Sequence, residues 1–360
     1  MAEGKDALPK LKQESDSVEC QEATKSKTET TGSMKLHWKE ADQAPRETDS
    51  SYGAAVVSGT TVYFYHTSDE IRAYDTTSNN WTSLPSPPHM EYSLAVVNNK
   101  LTAIGGGYFL HYTNKLYSLA GQGIDLSWIE DFKPMPTRRA STTALTTGTA
   151  LIVAGGKKTG SIFGDASTQV VEVMNTDTHQ WSVASHFPTC LYDASATVCD
   201  DSIYVVGMRQ PAAPSEKSGA LLPTKEVYTC SVNDLLQSCS RPLVAFIASA
   251  LFLSGKSVWK RVADLPVTEA ACVTFHGRLL TIGGRDSEGD ATTTVHMYDP
   301  ATNSWEAISH MSTPRIKCFA AVLPDDRVMV VGGHTNESVI EILGHKVGSK
   351  TCSVETASIE

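Results

Sequence analysis

Three features of this sequence predict an all-β fold, a closed ring of six four-stranded sheets known as a β-propeller. All six tryptophans, Trp38, Trp81, Trp128, Trp181, Trp259 and Trp305, form one series, with successive gaps of 43, 47, 53, 78 and 46 residues. Out of phase with them, hydrophobic strands end in glycine: KLTAIGG at Gly105 and Gly106, ALIVAGG at Gly155 and Gly156, SIYVVG at Gly207, RLLTIGG at Gly283 and Gly284, and RVMVVGG at Gly332 and Gly333. A run of small residues precedes each of these, from SLAVV (93–97) to FAAVL (319–323). Self-similarity at a period of this size is the signature of a repeat architecture.

Each unit reads as four short strands, a to d. Strand a is the small-residue run and strand b the one ending in glycine. Strand c carries an aromatic, as in IRAYD (71–75) and VHMYD (295–299), and strand d follows with the tryptophan. A lone sheet of this kind cannot bury both faces, so the units pack face to face around an axis. Near the axis space is tight, which suits small side chains in strand a. Toward the rim the sheets splay, and Tyr and Trp fill the wedge. The diglycines allow a sharp turn with positive φ at the end of strand b. Asp75 and Asp299 open the c–d turns, where a carboxylate bonds nearby amides.

The count closes at six. The unit from Phe319 to Ile342 reads as strands a, b and c with no following tryptophan, while KLHWKE (35–40) is an orphan strand with its own. That N-terminal strand is expected to complete the last blade and shut the ring, since an open ring leaves a bare edge. The expected layout is a disordered tail over 1–33, a propeller over 34–343, and a flexible tail over 344–360. An insertion over about 208–257 falls in the fourth blade. Its apolar stretch LVAFIASALFL (243–253) reads as a packed flap or a docking helix.

A net charge of -10 argues against a broad nucleic-acid footprint. No apolar run is long enough to span a bilayer. The N-terminus shows no secretory pattern. Eight cysteines without CxxC or zinc spacing read as reduced thiols, so the expected compartment is the cytoplasm or nucleus.

Strand a, a strand ending in Gly-Gly, Tyr-Asp, and a tryptophan seven residues after the tyrosine together resemble the kelch repeat. The match is best at Gly283, Gly284, Tyr298, Asp299, Pro300 and Trp305. It weakens at Tyr65-His66, at Gly207-Met208 and at Met174, which replaces the tyrosine. The resemblance implies a protein-binding module: a substrate receptor or adaptor for cullin ubiquitin ligases, or an actin-associated scaffold. Kelch ligase receptors usually carry a BTB domain, and the short polar segment before Lys35 does not read as one.

In kelch propellers the loops after strand b and before strand a share one mouth of the ring. Mapped here, those loops offer Arg138, Arg139, Lys157, Lys158, Arg209, Arg285, Arg315, Lys317 and His334. Blades 1 and 2 add Tyr52, Tyr65, His66, Glu91, Tyr92, Tyr108, Phe109, His111 and Tyr112. Arginine forks suit carboxylates and phosphates, and aromatics supply rigid contact area. This face is expected to bind an acidic or phosphorylated peptide-like segment of a protein partner. The plain alternative is a set of solvated loop charges.

Enzymes resembling this family form the competing class, of galactose-oxidase or sugar-mutarotase type with a small-molecule site in the central channel. The 11 histidines show no spacing for a shared metal, and Glu-x3-Asp-x3-His, GxSxG, HExxH and P-loop patterns are absent. No catalytic residue, metal or cofactor is expected. Cys190, shortly before Tyr192 and Asp193, is a thiol at the mouth with no activating base evident in the sequence. An enzyme would converge ionisable groups in the channel, whereas Ala, Ser, Thr and Val in strand a predict an inert wall.

Overall fold

The computed structural model describes residues 34–41, 55–65, 71–108, 111–158, 166–190, 193–206, 209–211, 221–239, 258–335, 340–342, 345–347 and 354–359. The expected tail over 1–33, Tyr52, His66, Phe109, Tyr192, Met208 and the stretch 243–253 lie outside them.

Six four-stranded antiparallel sheets form a six-bladed β-propeller. The innermost strands, a, are Ala55–Ser58, Ser93–Val97, Thr143–Thr147, Ser195–Cys199, Ala271–Phe275 and Phe319–Val322. The outermost, d, are Asn80–Leu84, Ser127–Glu130, Gln180–His186, Lys260–Val262, Ser304–His310 and, for the sixth blade, Leu36–Ala41. Each sheet offers an apolar face on both sides, and each face is covered by the next blade. Ile152 and Val173 of blade 3 pack with Ile203 and Tyr228 of blade 4. Val62, Phe64 and Tyr74 of blade 1 pack with Phe319, Met329 and Val331 of blade 6, which closes the ring.

Five of the six tryptophans hydrogen-bond to the blade before their own. The indole N–H of Trp128 donates to Pro85 O at 2.8 Å, that of Trp181 to Lys133 O at 2.8 Å, and that of Trp305 to Ala263 O at 2.9 Å. Trp38 and Trp259 donate to Ser309 Oγ and Ser185 Oγ at 3.1 and 3.0 Å. Near the axis, small hydroxyls do the same work: Ser93 Oγ donates to Thr142 O at 2.6 Å, and Thr274 Oγ1 to Val198 O at 2.7 Å. The diglycine is a contact as well as a turn. A Cβ on Gly283 would stand 2.4 Å from Arg315 O of the next blade, and one on Gly284 2.6 Å from Thr268 O of its own blade; both have positive φ. In the c–d turn of blade 5, Asp299 Oδ1 accepts the Ala301 N–H, and the Tyr298 hydroxyl reaches Asn303 Oδ1 at 2.8 Å.

The N-terminal strand takes the outer edge of the last blade, but the C-terminus differs from expectation. Residues 340–342 are not strand c; they pair with 345–347 as a two-stranded ribbon. Strand c is Val354–Ile359, drawn from the segment expected to be a flexible tail. It pairs with Val328–Val331 on one side and Leu36–Ala41 on the other, Trp38 facing Ala357. The physical reason is Glu355. Its carboxylate, fully buried, pairs with the fully buried Arg315 at 3.0 Å and accepts the backbone N–H groups of Ser312 and Thr313 at 2.7 and 3.0 Å. A glutamate reads as a surface residue in sequence and becomes a core residue only when the arginine supplies its charge.

The described part of the fourth-blade insertion contains a ribbon, Arg209–Pro211 with Leu221–Pro223, and a helix, Val232–Cys239, that the sequence reading did not assign. The helix starts at Ser231, whose hydroxyl accepts the Asp234 N–H at 3.4 Å, and buries Leu235 in the apolar interface of blades 3 and 4.

Glu355→Ala leaves Arg315 buried without its counter-charge and is expected to cost about 3–5 kcal/mol. Urea unfolding followed by tryptophan fluorescence measures it; a loss below about 1 kcal/mol would show that the last blade does not depend on this pair.

Candidate functional site

The loops before strand a and after strand b meet on one face. Met90 bridges Gly107, Ala140 bridges Lys157, Thr268 bridges Arg285 and Ile316 bridges His334. These backbone bridges join the two loop sets in blades 2, 3, 5 and 6. Four b–c connections also carry short ribbons: 107–108 with 111–112, 157–158 with 166–167, 209–211 with 221–223, and 340–342 with 345–347.

One backbone position repeats around this rim. The second residue before strand a is left-handed in five blades: Glu91, Ser141, Asp193 and Glu269 in blades 2 to 5, with Lys317 in blade 6, all with φ between 45° and 56°. Non-glycine residues in this region are strained, and such strain clusters at functional sites. The Ser141 N–H donates to Glu91 O at 2.8 Å and the Lys317 N–H to Glu269 O at 3.0 Å, so neighbouring blades are linked through this position.

The residues expected to bind a partner divide into three groups. Arg139, Arg315 and Tyr92 are corrected: all three are buried. Arg139 donates to the carbonyls of Val153, Gly155 and Val170 and pairs with the buried Glu172 at 2.6 Å. Burial pushes its guanidinium pKa down, and the charge of Glu172 opposes that. In blade 6, Arg315 donates to Gly332 O and pairs with Glu355. Both arginines are structural because strand c of their own blade supplies a carboxylate. In the second group the cation is at the rim beside an acid: Lys157 lies 3.4 Å from Glu91, and Arg285 and Lys317 lie 3.1 and 3.7 Å from Glu269. In the third, Arg138, Lys158 and Tyr108 are exposed. His334 is half-buried, His111 exposed and Tyr112 buried. The side chains of Arg209 and Tyr65 lie outside the described ones. The rim is thus a mixed-charge surface with an exposed basic corner, rather than a basic half-ring.

A central cavity of about 430 Å³ runs between the innermost strands. Its wall contains the expected Ala, Ser, Thr and Val, but Asp193, Glu269 and Lys317 also line it. The expectation of an inert channel therefore fails where the left-handed rim residues reach it. Cys272 and Cys318 line it too, and burial pushes their thiols up to about 12 and about 11, which leaves them protonated and unreactive at neutral pH. Cys190 is half-buried. Among the described residues no group of three or more His, Cys, Asp or Glu is placed to hold a metal ion, and no helix is long and apolar enough to cross a membrane.

Sequence reasoning missed His89, which lies beside Tyr108, together with Tyr117 and Lys115, which act on His89. The His89 ring lies 6.0 Å from that of Tyr108 and 5.6 Å from that of Tyr117. The signal that finds His89 is its repeat position, three residues before Tyr92, as Arg139 stands three before Thr142.

The fold defines a class: a closed six-bladed propeller whose d–a and b–c loops meet on one side. The kelch motif matches residues 266–312, the fifth blade. Kelch-like protein 35 of Mus musculus is 24% identical over 252 residues, covering 65% of this chain and 42% of that protein. Kelch-like protein 23 of Homo sapiens is 23% identical over 274 residues, covering 69% and 46%. The chain therefore spans less than half the length of these relatives. The solved structure of YjhT superposes with a TM-score of 0.60 over 86% of this chain and 95% of that one, at 16% identity, a likeness of fold. The chain therefore carries a kelch motif in its fifth blade and is similar to kelch-like proteins over about two thirds of its length.

Two adjacent arginines separate structural from surface roles. Arg139→Ala strands Glu172 and is expected to cost about 3–5 kcal/mol, whereas Arg138→Ala is expected to stay within about 0.5 kcal/mol, both by chemical denaturation. Acid sensitivity follows from two histidines. Burial lowers the pKa of His296, with His310 adding to the shift, and burial together with Lys115 lowers that of His89. The unfolded chain then takes up protons near the ordinary value of 6.5 before the folded chain does. Stability is expected to fall as pH drops through that value, and His296→Phe to flatten the pH dependence of the melting temperature.

Proposed function

We propose that this chain is a non-catalytic protein-interaction module that binds a peptide-like segment of a partner across the rim of the propeller. The observation that carries the reading is the joining of the two loop sets into one face by backbone bridges in four blades. That face presents Tyr108, 46% exposed, with Arg138 and Lys158, on a scaffold held rigid by the buried arginine pairs. A rigid frame with an aromatic anchor and mixed charge around it suits recognition of an extended polar segment. Acidic or phosphorylated segments are the chemistry the exposed cations favour. An adaptor or scaffold role, with cullin-ligase subunits or actin as partner classes, is what the kelch resemblance supports.

A second reading, a small-molecule site in the channel, draws on Asp193, Glu269 and Lys317 around the cavity. Native mass spectrometry of wild type and Glu269→Gln against a metabolite library tests it: a small molecule retained only by wild type favours this reading.

The first reading is tested with a photo-crosslinking amino acid placed at Tyr108 and, as a control, at Asp177 in a c–d turn on the opposite face. A discrete adduct in cells from the Tyr108 position alone is expected. Equal adducts from both positions, or none from Tyr108, would remove the rim as the binding face.

A further inference from the structure

Blades 3 and 6 share one polar device, and blade 2 holds a different pair of side chains at its place. In blades 3 and 6 an arginine three residues before the end of the d–a loop reaches a glutamate on strand c: Arg139 to Glu172, and Arg315 to Glu355. Strand register fixes the equivalent places. Glu172 faces Val153 on strand b, and Tyr117 faces Ala103 at the same place in blade 2. There the arginine is His89 and the glutamate is Tyr117, whose hydroxyl lies 3.5 Å from His89 Nε2. His89 Nδ1 is shielded from solvent and has no hydrogen-bond partner among the described residues. At this place blade 2 therefore has neither an arginine nor a carboxylate, and one shielded histidine nitrogen is left without a partner among the described residues.

The surroundings favour an anion. Lys115 is exposed, and its charge helps lower the pKa of His89, behind the larger effect of burial. Arg138, also exposed, is close enough to oppose the charge on Lys115. One acid, Glu130, pairs with Lys115 at 2.7 Å, so two cations stand against a single carboxylate. The Tyr108 ring stands edge-on to His89, with centroids 6.0 Å apart, and is itself exposed.

We propose that His89, Tyr108, Lys115, Tyr117 and Arg138 form a subsite for one carboxylate side chain, Asp or Glu, of a partner peptide. The carboxylate sits against Arg138 and Lys115, and a neighbouring apolar residue of the peptide lies on Tyr108. This inference rests on the rim being the peptide-binding face. It goes further by naming one corner and one ligand group. A carboxylate fits the local charge better than a phosphate, because Glu130 already offsets one of the two cations. Docking of the anion also favours protonation of His89, against the lowering of its pKa by burial and by Lys115.

The test uses the full chain and a displayed library of random twelve-residue peptides. Wild type is compared with the double variant Lys115→Ala and Arg138→Ala, both exposed positions, with thermal melting to confirm folding. Expected is enrichment of peptides bearing Asp or Glu beside an apolar residue, with binding weakened roughly tenfold in the variant, the upper range for two partly exposed ion pairs. The leading peptide is then made with Glu, Gln or phosphoserine at the selected position, and the His89 ring is followed by NMR titration. Tightest binding by the Glu form, with a rise in the His89 pKa, supports the subsite. If peptides bind but show no acidic preference, or the variant keeps it, the subsite is wrong while the rim stands. Tighter binding of phosphoserine than Glu overturns the choice of carboxylate. If no peptide is enriched at all, the rim reading falls and takes this inference with it.

Discussion

A four-stranded sheet that is apolar on both faces has to be covered twice, and that constraint governs this molecule. Every blade meets it with its two neighbours, and the chain closes on itself where Phe64 of blade 1 meets Phe319 of blade 6 at 5.6 Å between ring centroids. Closure demands that the final blade be complete. The chain completes it from both ends, with strand c from the C-terminal segment and strand d from the N-terminal one. Two terminal strands paired to each other carry the ring seam, so its integrity depends on contacts between residues some 300 positions apart.

Buried charge is managed by repetition. Arg139 and Arg315 are surrounded by strand-end carbonyls, and each has one carboxylate on its own strand c. Such pairs contribute little net stability but strongly penalise any arrangement that separates them. They therefore select the register in which strand c lies beside strand b. In blade 6 this fixes Val354–Ile359 as the third strand, although residues 340–342 are nearer in sequence.

The same repetition shapes the loop rim. The d–a loop is held by its bridge to the b–c loop and by the left-handed residue ahead of strand a. Side chains at that position, Glu91, Asp193, Glu269 and Lys317, are aimed at the rim and the channel by backbone geometry shared among blades. Strain at a repeated position is tolerated because the neighbouring blades hold it from both sides. What varies from blade to blade is the side-chain chemistry: blade 2 has His89 and Tyr117 where blades 3 and 6 have an arginine and a glutamate.

Periodicity made the blades legible. Tryptophan spacing, glycine-terminated strands and small-residue runs are local patterns, and they carried the fold, the number of blades and the N-terminal closing strand. Loop position relative to strands a and b was equally local, which is why the rim could be drawn before the structure. Burial of individual side chains was not local. Arg138 and Arg139 are neighbours in sequence, yet one is solvated and the other fully enclosed, because only the second meets Glu172 across the sheet. Glu355 looked like part of a polar tail for the same reason in reverse. The sequence determined where strands and turns fall, since those depend on residues a few positions apart. Tertiary structure alone decided which charges are core and which are surface, since that depends on partners brought together by the closing of the ring.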